Sequence, residues 1–255
     1  MNRNAGMNRF AELFRYFLCG ICDVIFPRSC IITGKALDEG PLKFISEEGV
    51  EKLHFIHSGS ACSRCGTPLA GTGISAGYCK DCFENGDDTV TGGSRSVLCL
   101  DRFSRPIVFS LKYWKHPAIA RDIAILSSRS RGFIEHLSGA ILVPVPLYKK
   151  RFRRRGYNQS LHLAKAFAEI APGTRVEDLL LRTRDTGTQT RLDADERRKN
   201  VCEAFSVKAG TQLDPKVRYV LIDDVFTTGA TLSECALAMR ARGAVKIDSA
   251  TFTHG

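Results

Sequence analysis

Residues 220–231, VLIDDVFTTGAT, decide how the rest of the chain is read. Tyr219, Val220, Leu221 and Ile222 predict a short buried strand, Asp223 and Asp224 end it, and a small-residue turn opens an apolar-periodic segment from Leu232 to Met239. The order is strand, loop, helix N-terminus. The turn Thr227-Thr228-Gly229-Ala230-Thr231 offers successive backbone N–H groups, three hydroxyls and the positive end of a helix dipole, a combination that suits a phosphate dianion. Two carboxylates at the carboxyl end of a parallel strand lie where open α/β sheets bind ligands. Beside a phosphate cradle they can accept hydrogen bonds from vicinal sugar hydroxyls and help to hold Mg²⁺. Spacing alone leaves an alternative open, because Asp, Thr and Gly also make an ordinary turn and helix cap with no ligand.

Working outward from this stretch, strand and helix signals alternate. Val97 to Leu100 read as a strand, Ile107 to Arg129 as helical with a break at Pro117, and Ala140 to Val145 as a buried strand. Residues 159–171 form an amphipathic helix with Asn158 as cap, and Val245 to Phe252 the last strand. This alternation predicts an α/β fold with a mainly parallel sheet and helices on its faces.

The 255 residues suffice for such a core plus a small extra module. The net charge of +10 is unevenly spread: residues 1–88 carry 9 Lys/Arg against 11 Asp/Glu, and residues 89–255 carry 28 against 16. A basic second part implies an anionic partner, a polyphosphate or a nucleic acid. No stretch reaches the roughly 18 uninterrupted apolar residues of a membrane span. Arg3 and Arg9 precede an apolar run, but Asp23 interrupts it and no small-residue cleavage site follows, so the expected location is cytoplasmic.

Seven of the ten cysteines precede residue 83. Cys62-x2-Cys65 and Cys79-x2-Cys82 are two knuckles thirteen residues apart, a spacing at which four thiolates close a tetrahedral, structural Zn²⁺ site; a disulfide pair or an iron site would use the same residues. Cys19 and Cys22 are read as core cysteines, with a second metal site shared with Cys30 as the alternative. Thr33 stands where a partner of Cys30 would be, and His54 and His57 could complete a second site only through a long loop. Phe10 to Ile25 predict an amphipathic helix ended by Pro27, which docks on its own protein or meets a partner or membrane surface. The acidic, Gly-rich residues 84–95 read as a linker. The expected division is an N-terminal helix over 1–27, a zinc ribbon over 28–88 and the main domain over 89–255.

Two basic segments remain. Lys149 to Arg155 (KKRFRRR) puts six cations into seven residues with no acid nearby, and is read as a loop that meets a pyrophosphate or a DNA backbone, or is merely solvated. Arg182 to Asn200 is a second basic loop that could close over an anion.

The residues 220–231 closely resemble the phosphoribosyl pyrophosphate signature of type I phosphoribosyltransferases. That resemblance implies ribose hydroxyls on Asp223 and Asp224, and the 5-phosphate on Thr227, Thr228, Gly229, Ala230 and Thr231, with Val225 in the same motif. With PVP at 144–146, RGYNQS at 155–160, LLRTR at 180–184, Gln189, ERRKNV at 196–201 and Phe205, the chain is similar to the ComF family of competence-associated proteins. The family arrangement is a zinc ribbon followed by a phosphoribosyltransferase domain. It implies a cytoplasmic protein that binds phosphoribosyl pyrophosphate with Mg²⁺, and acts in DNA uptake on single-stranded DNA alongside other competence proteins. By the same resemblance Val145 joins the ligand site, and Lys150, Arg151, Arg155 and Arg191 offset the charge of a departing pyrophosphate while Asp223 and Asp224 anchor the sugar. Two alternatives stay open: an active transferase on a nucleobase or amine, and a non-catalytic sensor of the sugar pyrophosphate. No residue stands out as a base, and no acceptor pocket can be read.

Overall fold

The computed structural model describes residues 28–37, 39–69, 77–84, 92–113, 118–185 and 204–255. The expected N-terminal helix with Cys19 and Cys22, most of the linker, Pro117, and Gln189, Arg191, Arg197, Arg198 and Lys199 of the second basic segment lie outside the described residues.

Five parallel strands form the sheet, in the order β1-β7-β6-β2-β3, with β1 Ser94–Cys99, β2 Ile141–Pro144, β3 Arg175–Val176, β6 Arg218–Phe226 and β7 Lys246–His254. Strand β6, which carries the 220–231 stretch, is central. Its residues alternate between two apolar layers, as the pleat requires. Val220 and Ile222 join one cluster; Tyr219 and Leu221 join the other. Burial on both faces explains why this strand reads as a continuous apolar run.

On the first face lie α3 (Arg105–Tyr113), α4 (Ile119–Ser127), α5 (Phe133–Leu137) and α7 (Gln159–Ile170), packed through Ile107, Leu111, Ile123, Phe133, Leu163 and Phe167. On the second lie α8 (Ala230–Arg240) and a short antiparallel hairpin of β4 (Leu180–Arg182) with β5 (Phe205–Val207). Two short helices near the amino end, α1 (Glu47–Glu51) and α2 (Lys80–Glu84), a single 3-10 turn at Ser58–Ser60, and α6 (Lys149–Arg155) complete the described elements. The expected α/β architecture with a mainly parallel sheet is present.

Three expectations are corrected. Strand β6 does not stop at Ile222: its ladder with β7 continues through Asp223↔Thr251 to Phe226↔His254, so both acids sit inside the strand, near its carboxyl end. Lys149 to Arg155 is a helix, not a loop. Gly156 ends it in a left-handed conformation (φ 84°) and donates its N–H to the Phe152 carbonyl at 2.7 Å, while Arg153, Arg154 and Arg155 complement the negative end of the dipole. Ser94 and Arg95 belong to β1, so the linker reading ends before them.

The segment that opens the expected ribbon shares the main core. Cys30, Leu42, Ile45, Val50 and Leu53 are buried with the residues of α4 and α5. Cys30 is a core thiol whose Sγ accepts from Ser46 N at 3.3 Å. His54 Nδ1 lies 2.6 Å from Asp101 Oδ2 and His57 Nδ1 accepts from Arg131 N, so both rings are engaged away from Cys30. The knuckle segment abuts the β1–β7 edge: Ser94 N donates to Arg64 O at 2.7 Å, Arg95 Nη1 to Ser63 O at 2.9 Å, and Thr67 Oγ1 lies 3.3 Å from His254 Nε2.

Candidate functional site

At the carboxyl ends of β2 and β6 a cavity of about 700 Å³ opens. Asp223, Asp224, Val225, Thr227, Thr228, Gly229, Ala230 and Thr231 all line it, as do Val145, Arg151, Arg155 and Arg182. Lys150 does not; it is exposed on the outer side of α6, whereas Arg151 and Arg155, four residues apart, share the inner side. Arg191 lies outside the described residues.

The turn is built as a cradle at the start of α8. Gly229 holds φ 71°, no side chain caps the helix there, and a Cβ at this position would meet the Phe226 ring at 3.0 Å. Only glycine fits both the conformation and the space. Ala230 N donates to Thr228 Oγ1 at a long 3.5 Å, and the N–H groups that follow it in the first turn of α8 are open to a ligand. In the lining of the same cavity, Arg151 Nη2 is buried and has no hydrogen-bond partner among the described residues.

Adjacent residues of a strand set out towards opposite faces, but at the end of β6 the two carboxyls remain in contact with each other. Asp224 turns to the first face, where Lys112 of α3 brings Nζ to 2.5 Å from Oδ2. Asp223 accepts at Oδ1 from Ser160 Oγ, at the start of α7, and from Asp224 N, each at 2.9 Å. Asn158 sets this helix start in place: Oδ1 accepts from Ser160 N at 3.1 Å and Nδ2 donates to Val145 O at 3.0 Å. Burial opposes ionisation of both acids. For Asp224 the Lys112 ammonium outweighs it and holds the carboxyl below its ordinary range. For Asp223 burial and the neighbouring Asp224 charge prevail and raise it to about 7. Lys112 is itself kept protonated, because the Asp224 charge outweighs the burial that would otherwise lower it.

Lys112 is the residue that sequence reasoning missed. Its signal was a lone cation beside the apolar positions 107, 108 and 111 of α3, which by itself resembles any solvated helix lysine. A dedicated all-protein Mg²⁺ site does not fit here, since the ammonium already occupies Asp224. One carboxylate, Asp223, together with ligand phosphates does fit, and that is the usual way Mg²⁺ is held.

The four knuckle thiols come together. The Sγ atoms of Cys62, Cys65, Cys79 and Cys82 all lie within 4.8 Å of one another, and Cys65 to Cys79 is 3.5 Å. Burial resists ionisation of Cys62, but the N–H groups of Cys65, Cys79 and Arg64 outweigh it and lower the thiol to about 6. Burial and the neighbouring thiols push Cys65 up to about 11 and Cys82 higher still. Four such thiols ionise together only with a cation among them. The donor set fits a closed, structural Zn²⁺ site with no open position.

No family model matches the chain. It is 30% identical over 190 residues to competence protein F of Haemophilus influenzae, covering 73% of this chain and 81% of that protein. It is 29% identical over 198 residues to the DNA utilization protein YhgH of Salmonella typhimurium, covering 74% and 81%. Among solved structures, a purine phosphoribosyltransferase from Pyrococcus horikoshii matches at 17% identity over 56% of this chain and 84% of that one; the TM-score of 0.25 is too low to bear on the fold. Among the described residues no helix is long and apolar enough to cross a membrane.

Proposed function

The chain belongs to the ComF family, and from that premise we propose that it binds phosphoribosyl pyrophosphate with Mg²⁺ and acts on single-stranded DNA in its uptake. One observation carries the first part of this reading: the Thr227–Thr231 turn, with no side-chain cap from Gly229, and the acids Asp223 and Asp224 open into a single cavity that Arg151 and Arg155 also line. The 5-phosphate takes the orphan N–H groups of α8. The ribose hydroxyls donate to Asp223 and Asp224, and the pyrophosphate meets Arg151 and Arg155. Mg²⁺, when bound, neutralises charge on the pyrophosphate oxygens. Asp224, held ionised by Lys112, keeps its acceptor character throughout the neutral range. The Cys62, Cys65, Cys79, Cys82 centre holds zinc and braces the β1–β7 edge.

Phosphoribosyl pyrophosphate with Mg²⁺ is expected to raise the melting temperature, and replacement of Asp223 and Asp224 together by Asn to remove the rise. An unchanged melting curve for the intact protein defeats the ligand reading.

The DNA part is supported by the names of the relatives and by the outer side of α6, where Lys149, Lys150, Arg153 and Arg154 are exposed. Single-strand affinity is expected to fall steeply with salt. Changing Lys149, Lys150 and Arg153 to Ala should flatten the log–log slope by about 2, at about 0.7 per released counterion. A slope that does not move refutes the assignment of α6 to the strand.

A further inference from the structure

Resting on the sugar-phosphate reading above, we infer that the cavity face of α3 is a base-stacking subsite, where a planar purine or pyrimidine ring lies against Phe109 and Tyr113 beside the ribose. The sequence marked no acceptor pocket; the structure supplies a wall for one. Helix α3 has a clear division of labour. Ile107, Val108, Ser110 and Leu111 are buried, whereas Phe109 and Tyr113 remain 49% and 52% exposed. Large aromatic side chains held half in water contribute little to the core they border, and these two face the cavity. They are four residues apart and form one shelf, with ring centroids 4.7 Å apart and planes tilted by 38°. The Arg155 guanidinium sits 5.6 Å from the Tyr113 centroid, at the edge of that shelf.

The position of the shelf is fixed by Lys112. Its ammonium ties α3 to Asp224 at 2.5 Å, so the residues that follow and precede it flank the place where the ribose would sit. A ring attached to the sugar, or approaching it, meets the aromatic pair within the same cavity.

Charge selects the chemical class. In the cavity Lys112 is offset by Asp224, and Arg105, Arg151, Arg155 and Arg182 outnumber the remaining acid, Asp223. A cationic amine would enter against that excess. A neutral heteroaromatic ring meets no such opposition, and it offers a π-face to Phe109, Tyr113 and Arg155 alike. Pro106 and Leu147 add an apolar border that suits a flat ring better than a hydrated polar group.

The test compares ribose 5-phosphate with adenosine 5′-monophosphate and uridine 5′-monophosphate, which keep both ribose hydroxyls, by calorimetry on the intact, zinc-loaded protein. Both nucleotides are expected to bind about tenfold to a hundredfold more tightly than the bare sugar phosphate, the range that stacking of one base supplies. Phe109→Ala with Tyr113→Ala should erase that gap and leave the ribose 5-phosphate affinity unchanged; both side chains are half exposed, so the fold and its melting temperature should hold. Tyr113→Phe, which keeps the ring, should keep the gap. A sugar phosphate that binds as well as the nucleotides, or a gap that survives the double substitution, overturns the subsite while leaving the sugar-phosphate reading in place. Failure of ribose 5-phosphate and both nucleotides to bind overturns that reading itself. A short oligothymidylate that displaces the nucleotide assigns the ring to a DNA strand, and one that does not assigns it to a free base or nucleotide; either keeps the subsite.

Discussion

Replacing Lys112 with Met tests the electrostatic core of the site. The substitution keeps the length and apolar stem of the side chain, so packing in α3 changes little and the ammonium alone is lost. Lys112 Nζ stands 2.5 Å from Asp224 Oδ2, with side-chain exposures of 24% and 6%. Removing one partner of a buried pair typically costs about 3–5 kcal/mol, because the other charge is left uncompensated. The quarter-exposed lysine places this case at the lower end, about 3 kcal/mol, which for a chain of this size lowers the melting temperature by about 6–12 °C. The sign with pH follows. In the intact protein Asp224 is held below its ordinary range, so its contribution is present above the ordinary carboxylate value and lost as pH falls through the depressed one. Without Lys112 the burial that opposes ionisation prevails, Asp224 takes up a proton more readily, and the deficit narrows as pH falls. Urea unfolding of both proteins at about pH 8 and about pH 6 reads this directly as a difference in midpoints that shrinks in acid. Adding Asp224→Asn to Lys112→Met removes the lone charge and should recover at least half of the loss. The reasoning fails if Lys112→Met keeps the wild-type midpoint, or if the double variant is no more stable than the single one.

Two further outcomes are expected. Cys62→Ser should lower bound zinc by about one ion per chain and reduce the melting temperature, since Ser63, Arg64 and Thr67 hold the β1–β7 edge from the knuckle; zinc content unchanged in elemental analysis sinks the four-cysteine assignment. Asp223 is raised from its ordinary 3.8 to about 7, so its neutral form favours the fold below 3.8, and this contribution is lost as pH rises towards about 7. Asp223→Asn should remove that decline from a stability–pH curve measured by urea unfolding, and a curve of unchanged shape would show that the group titrates normally.

The α/β class was readable because helix and strand periods are properties of local sequence. Residues 159–170 capped by Asn158, the strand at 141–144 and the helices on either side of Pro117 all fall where apolar spacing put them. The glycine turn was readable for a related reason, since a small-residue run between a strand and an apolar-periodic segment has few uses. The length of β6 was not. It is set by its neighbour β7, whose register carries the ladder past the acids to Phe226, and a strand's partner cannot be read from its own residues. KKRFRRR misled in the opposite way: density of charge argued against a helix, whereas Gly156 and the helix dipole permit one and leave only two of the six cations, Arg151 and Arg155, facing the cavity.

The acid pair illustrates how far such reading reaches. Consecutive carboxylates in a sequence invite treatment as one group with one role. Here they stay in contact, yet each takes its character from a different source: Asp224 from a lysine more than a hundred residues earlier in α3, Asp223 from burial and from the Asp224 charge beside it. The two groups end up with opposite protonation tendencies at neutral pH, one a fixed acceptor and the other poised between acceptor and donor. For a sugar with neighbouring hydroxyls, each of which can donate and accept, that asymmetry orients the ring where two equivalent carboxylates would not. On the sugar-phosphate reading proposed above, the motif marks where the ligand would bind and Lys112 sets how it would be held; only the packing of α3 against β6 brings that residue to the motif.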